Sequence, residues 1–272
     1  MHLTLLHKAI AFLRRDFKTE LSYRFSFLLN LAGISFSVIM FYYIAKLFGK
    51  AASPYLADYG GDYFSFVIIG IAFSGYLSTS LHSFSGAIRE GQMLGTLEAM
   101  MVTPTGIPAI ILFSSLWSFV STTIEVLLYL LVGVVIFGLD LGRANILSAL
   151  IVMGLTILSF SPFGIVSASF IMAFKRGDPI AFFFGTGSAL LGGVYYPIGI
   201  LPEWMQNLSH LLPITYSLKA MRLALLKGYT IAELAPDLWA LALFSAIMVP
   251  LSLLSFSYAA RKAKEKGSLG QY

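Results

Sequence analysis

The chain contains no cysteine, so disulfides, thiolate-bound metal and a cysteine nucleophile are excluded from the outset. Charge is nearly as scarce. Only 11% of the 272 residues are Asp, Glu, Lys or Arg, against roughly 25% in a soluble globular domain. Histidine is thin and scattered, at His2, His7, His82 and His210, and no H-E-x-x-H pair occurs. There is no G-x-S-x-G elbow for a serine nucleophile and no G-x-x-x-x-G-K-[ST] loop to cradle a nucleotide phosphate. These absences weaken any reading as a membrane enzyme. They also place ATP binding of the phosphate-loop kind on some other chain.

What is present is apolar. Hydrophobic residues make up 58% of the sequence and the mean hydropathy is +0.83, the profile of a chain solvated mainly by lipid. The expected fold class is an all-α integral membrane protein, a single transmembrane domain over residues 1–272. The net charge of +5 points to the membrane surface and not to nucleic acid, because the basic residues stand at the ends of the apolar runs.

Residues 1–24 read as an interfacial amphipathic helix. Leu3, Leu6, Ile10, Leu13, Phe17 and Leu21 share one helical stripe, while Lys8, Arg14, Arg15 and Lys18 lie off it. A cleavable signal is not expected, since charges persist to Arg24. Six spans then follow within 25–260, each judged against the roughly 20 apolar residues that cross about 30 Å of hydrocarbon. They are 25–45, 63–88, a long run within 108–138, 144–174, 180–201 and 238–260. Lys46, Lys50, Pro54 and Gly60-Gly61 mark the first loop. Residues 108–138 would make about 46 Å of helix, more than one crossing, so one end should project. Pro162 is expected to bend the fourth span and Pro250 to interrupt the sixth. Residues 261–272 form a basic tail. Six spans put both termini on one side, where 12 of the 18 basic residues fall. The positive-inside tendency makes that side cytoplasmic, in a multi-pass plasma-membrane protein.

Two stretches resist reading as filler. The first, residues 89–104, is a polar island between the second and third spans. Leu94, Leu97, Met100 and Met101 recur at helical spacing, and Gly95 followed by Glu98 suits a helix start whose carboxylate meets free backbone N–H groups. Either a docking helix that passes force into the membrane or a plain interfacial anchor fits this pattern. The second, residues 194–222, has 15 uncharged residues at 204–218, short for a span and apolar for a free loop. Pro197, Pro202 and Pro213 cut it into pieces, which suits a re-entrant or interfacial pair of short helices. Its aromatics, Tyr195, Tyr196, Trp204 and Tyr216, can serve as an interfacial belt or as an extracellular gate.

Both stretches resemble a known family. Gly95-Thr96-Leu97-Glu98 followed by Thr103-Pro104 is similar to the GTLE…TP segment of ABC-2 type transporter permeases. In that family the segment is a cytoplasmic coupling helix between spans 2 and 3, lying against the ATPase. This chain has Met93-Leu94 where the family pattern usually carries charge, with Arg89-Glu90 further back. The order Tyr196-Pro197, Leu201-Pro202, Trp204, Pro213, Tyr216 and Arg222 resembles that of the drug-export permeases of the family. The polysaccharide and teichoic-acid permeases match it less well. The resemblance implies a dimer of two such chains, identical or related, driven by two ABC ATPase subunits that carry the ATP and Mg, with no cofactor here. It implies export of a drug-like or lipid-like substrate. Arg89, Glu90, Gly95, Thr96, Leu97 and Glu98 become the coupling residues. Tyr195, Tyr196, Pro197, Pro202, Trp204, Pro213, Tyr216 and Arg222 become the gate.

Two intramembrane polar residues complete the candidates. Glu125 is a carboxylate deep in the third span, where charge costs about 2.5–3.5 kcal/mol at the bilayer centre, so it should face a cavity or a partner or be protonated. It can be functional or a structural pairing at a dimer seam, and it is the residue a proton-coupled secondary transporter would use. His82 reads as a hydrogen-bonded packing residue rather than a ligand.

Overall fold

The computed structural model describes residues 2–22, 24–93, 107–174 and 178–265. Among them there is no strand. Nine α-helices can be numbered in chain order: α1 (His2–Ser22), α2 (Arg24–Ala52), α3 (Tyr63–Met93), α4 (Ile107–Phe137), α5 (Ile146–Phe174), α6 (Pro179–Leu191), α7 (Glu203–Ser209), α8 (Pro213–Arg222) and α9 (Ala235–Glu265). Five of them, α2, α3, α4, α5 and α9, are long and apolar enough to cross a membrane.

The hub is α3, whose apolar stretch is largely buried, while few residues are buried in those of α2, α4 and α9. Phe66, Ile69, Tyr76, Leu81 and Phe84 of α3 are shut off from solvent by the helices around it. The outward faces carry bare hydrophobic side chains such as Phe36, Leu47, Val135, Phe183 and Trp239. That arrangement is at home in lipid and not in water.

Helices without a hydrophobic drive to associate in lipid rely on close approach and on hydrogen bonds between them. Both devices are present. A Cβ at Gly164 of α5 would sit 1.7 Å from the Ser80 carbonyl oxygen of α3, so only glycine lets these two backbones meet. Thr79 and Thr122 join α3 to α4 at 2.6 Å, and Tyr76 reaches Thr123 at 2.9 Å. Ser159 of α5 donates to the Leu241 carbonyl of α9 at 3.0 Å and lies 2.9 Å from Ser245.

The ends of the bundle are distinct. Phe84 and Ile88 of α3, Ile165, Ala168 and Met172 of α5, and Phe256, Ala260 and Ala263 of α9 make one buried cluster, with Phe119 of α4 against it. Helix α1 packs on the same half of α4, through Phe12 on Phe113 and Phe17 on Trp117. Both terminal helices therefore reach one end of the bundle. Segments 53–62, 138–145 and 192–234 gather at the other.

Several expected boundaries move. Lys46 and Lys50 belong to α2 and not to a loop. The Lys46 ammonium lies over the Tyr42 ring at 5.6 Å, and long basic side chains near a helix C-terminus suit the dipole there. The chain leaves α2 through a 3-10 turn, Ser53–Tyr59, and Asp62 caps α3 by accepting from the Ser65 amide at 2.8 Å. Helix α3 runs past Ile88, so Arg89 and Glu90 sit in its last turns. Helix α9 continues through Pro250, and α5 through Pro162, each as one helix. The fifth span is the largest correction. Instead of 180–201, α6 has 13 residues, about 20 Å of helix against the 30 Å a full crossing needs. The Gly192 amide makes its last helical bond, to the Ser188 carbonyl, and the helix ends because Gly193 takes φ +73, after which the chain turns back on itself.

Candidate functional site

Beyond α6 the chain does not leave the bundle. A 3-10 turn at Ile198–Ile200 and α7 cap its end, with Pro202 at the N-cap of α7 and the Gln206 amide donating to the Leu201 carbonyl at 2.7 Å. Then Pro213, at the first position of α8, starts a helix in which Pro213, Ile214, Thr215, Ser217, Leu218, Ala220, Met221 and Arg222 are buried. One hydrogen bond marks its depth. Ser217 lies 2.6 Å from Thr156, ten residues into α5, about 15 Å from that helix's start. From there α8 climbs back, through a π turn at Leu223–Lys227, until the Asn145 amide donates to the Ala224 carbonyl at 2.9 Å.

Arg222 holds this insertion in place. It is 2% exposed, and its Nε donates to the Phe66 carbonyl at 3.0 Å while Nη2 donates to the Val194 carbonyl at 3.0 Å. The guanidinium lies 3.5 Å from the centroid of the Phe66 ring and 5.9 Å from that of Tyr59. No carboxylate pairs with it among the described residues. The cation is held by carbonyl dipoles and ring faces, a rigid planar fork that reaches two elements at once. Gly70 makes the reach possible, since a Cβ there would fall 2.2 Å from the Val194 oxygen and 2.3 Å from Nη2. Nearby, Lys219 pairs with Asp237 at the start of α9 at 3.0 Å. Tyr55, Asp58, Tyr59, Gln206, His210, Lys219 and Arg222 line a polar cavity of about 340 Å³ at this end.

The aromatic candidates divide. Tyr195 stacks on Phe41 of α2, with centroids 5.9 Å apart and rings 15° from parallel. The Tyr196 hydroxyl donates to the Leu190 carbonyl, pinning the turn after α6, and Pro197 caps the 3-10 turn that follows. The Tyr216 hydroxyl donates to the His210 carbonyl at 3.0 Å and ties α8 to the end of α7. Trp204 is 64% exposed on α7 and faces outward. The motif thus brings Tyr195, Tyr196, Pro197, Pro202, Pro213, Tyr216 and Arg222 into one folded insertion, with Trp204 on its rim.

The intramembrane polar residues lie elsewhere. Glu125 accepts from the Asn30 amide of α2 at 2.6 Å, across a groove between α1, α2 and α4. His82 is exposed on α3 and bonds its own helix, Nδ1 lying 2.8 Å from the Ser78 carbonyl. Of the coupling candidates, Arg89 and Glu90 lie in the last turns of α3, while Gly95, Thr96, Leu97 and Glu98 fall outside the described residues. Sequence reading missed three residues that shape these sites. Gly70 carried no pattern to mark it. Asn30 was visible as a lone amide inside an apolar run, and Asp178 as an Asp-Pro helix start, where it caps α6 by accepting from the Ala181 amide at 2.9 Å.

The pattern of the ABC-2 type transporter family matches residues 8–226, most of the chain and all of α8. The inner membrane transport permease YadH of Escherichia coli K12 is 24% identical over 180 residues, covering 65% of this chain and 68% of its own. The protein of the same name from Shigella flexneri matches equally.

Proposed function

The chain belongs to the ABC-2 type transporter family, and from that premise we propose that it is the permease half of an ATP-driven exporter of hydrophobic or amphipathic molecules. It is a multi-pass transmembrane subunit of an ABC transporter, and membership implies ABC ATPase subunits as partners. The energy comes from that separate chain, which binds ATP and Mg. Two copies of the ATPase act on two permeases, this one and a second copy or a relative, in contact with membrane lipid.

The observation that carries the reading is the insertion of α8. A folded segment lodged about 15 Å inside one end of a helix bundle, with its backbone bonded to neighbouring helices, behaves as a re-entrant plug. We assign that end to the outside, where Tyr195 and Tyr196 close the path and Arg222 positions the plug. With α6 completed by the turns at 192–202, the fifth crossing is made by helix and capped loop together. Both termini and the 89–104 island then face the cytoplasm, where Gly95, Thr96, Leu97 and Glu98 dock the ATPase.

Orientation is open to a direct test, because the chain has no cysteine of its own. Ser53→Cys, in the 3-10 turn after α2, should react with an impermeant maleimide added to intact cells. Ser268→Cys, in the basic tail, should react only after the cells are opened. Equal labelling of both from outside would place the island on the wrong face for an ATPase and overturn the reading.

A further inference from the structure

The groove between α1, α2 and α4 holds about 480 Å³, inside the 300–1,000 Å³ or so of small-molecule sites. Its walls are apolar and aromatic, with Phe17 from α1, Phe27 and Leu31 from α2, and Trp117, Ile124 and Leu128 from α4. Its polar groups are Asn30, Ser121 and two carboxylates, Glu20 and Glu125. Each carboxylate has a neutral donor only. Asn30 donates to Glu125, and the Trp117 indole N–H donates to Glu20 at 2.9 Å. The ion pairs among the described residues are Arg15–Asp16 and Lys219–Asp237, so neither groove carboxylate meets a cation.

An apolar groove carrying two carboxylates with no positive partner among the described residues is unbalanced in a membrane. Ionised carboxylates in low dielectric are costly unless paired. Aromatic faces beside them add a second attraction for one kind of guest, since ring quadrupoles draw organic cations. Lipid tails would fill the apolar walls and leave the charge unmet. A second copy of the chain would bring the same acidic, apolar face.

We infer that this groove binds a monocationic amphiphile, its charged centre between Glu125 and Glu20 and its apolar body against Phe17, Phe27 and Trp117. The inference deepens the export reading by naming a substrate class, and rests on it only for the fate of the bound molecule. Position agrees with loading from the cytoplasmic half of the bilayer in that orientation. Asn30 is six residues into α2, and Trp117 lies in the half of α4 that α1 covers. Since α1 forms one wall, an occupant also sets how tightly α1 sits on α4.

The test uses the full-length chain in nanodiscs, with no ATPase and no ATP. Equilibrium dialysis measures saturable binding of tetraphenylphosphonium and of its opposite-charge isostere tetraphenylborate, with empty discs subtracted. Saturable binding of the cation and not of the anion is expected. Glu125→Gln keeps an oxygen for Asn30 and should raise the Kd about tenfold, the scale of one lost charge contact. Glu20→Gln, at an exposed position, keeps an oxygen for the Trp117 indole N–H and should raise it as well, and Glu125→Asp should restore much of the affinity. Equal binding of both probes would mean a lipid-filled groove. Undiminished cation binding in Glu20→Gln and Glu125→Gln would place the cation elsewhere, and absence of saturable cation binding would mean that lipid or a second copy covers the groove. Each of these three results overturns the inference, and none of them bears on whether an ATPase drives the chain.

Discussion

Arg222→Ala is expected to cut ATP-driven export by about tenfold or more while leaving the membrane sealed. The side chain supplies one bond from α8 to α3, at Phe66, and one to the turn after α6, at Val194. Hydrogen bonds from a charged donor are each worth about 1.5–3 kcal/mol, so their joint loss is on the order of 3 kcal/mol or more. The insertion should loosen yet stay in the bundle, because Thr156–Ser217 and the buried face of α8 remain. Arg222→Lys should fare little better, since an ammonium cannot reach two divergent carbonyls with a planar fork. Tyr195→Ala with Tyr196→Ala should behave differently. It removes the ring stacked on Phe41 and the hydroxyl that pins the turn at Leu190, and should admit small dyes without ATP. Dye entry and substrate export in the same vesicles separate the two outcomes. A leak in Arg222→Ala, or a sealed and fully active double tyrosine variant, would exchange their roles or remove them.

The second large effect belongs to the other end of the chain. Leu97→Asp should abolish export while the protein still inserts, because it places an unpaired charge on the apolar face offered to the ATPase. Glu98→Ala should lower the permease-dependent stimulation of ATP hydrolysis more than it lowers the amount of protein in the membrane. Measuring hydrolysis, export and inserted protein together distinguishes lost coupling from lost folding. Normal export by both variants would return residues 89–104 to a plain interfacial anchor.

Much of this was legible because membrane helices write themselves in length and composition. The runs at 63–88, 108–138 and 144–174 lie within the helices α3, α4 and α5 or differ by a few terminal residues. The two short helices after α6 followed from the prolines, each of which ends or begins an element. What failed were inferences from single residues. Lys46 and Lys50 suggest a loop if charge ends a span, whereas a lysine can extend its stem along the helix and keep its head at the interface. Pro250 looked like a break, but neighbouring helices and local adjustment can accommodate a freed carbonyl in a membrane helix. Residues 180–201 looked like one span because no charge interrupts them. The break is made by backbone geometry at Gly193 and by the Tyr196 hydroxyl on Leu190, to which hydropathy is blind. The acidic groove was the least legible feature. Glu125 was conspicuous, but its partner Asn30 is 95 residues away, and the Trp117–Glu20 contact spans 97. Only the packing of α1 and α2 on α4 brings them together.

The central claim is that this chain is a path driven by a separate ATPase. Purifying the tagged chain gently from its native membrane and reconstituting what comes with it tests that most directly. The account predicts a co-purifying chain with a G-x-x-x-x-G-K-[ST] phosphate loop, in equal number to the permease, and movement of an amphipathic fluorescent substrate that starts only when ATP is added. Transport by the chain alone, driven by a proton gradient and indifferent to ATP, would contradict it.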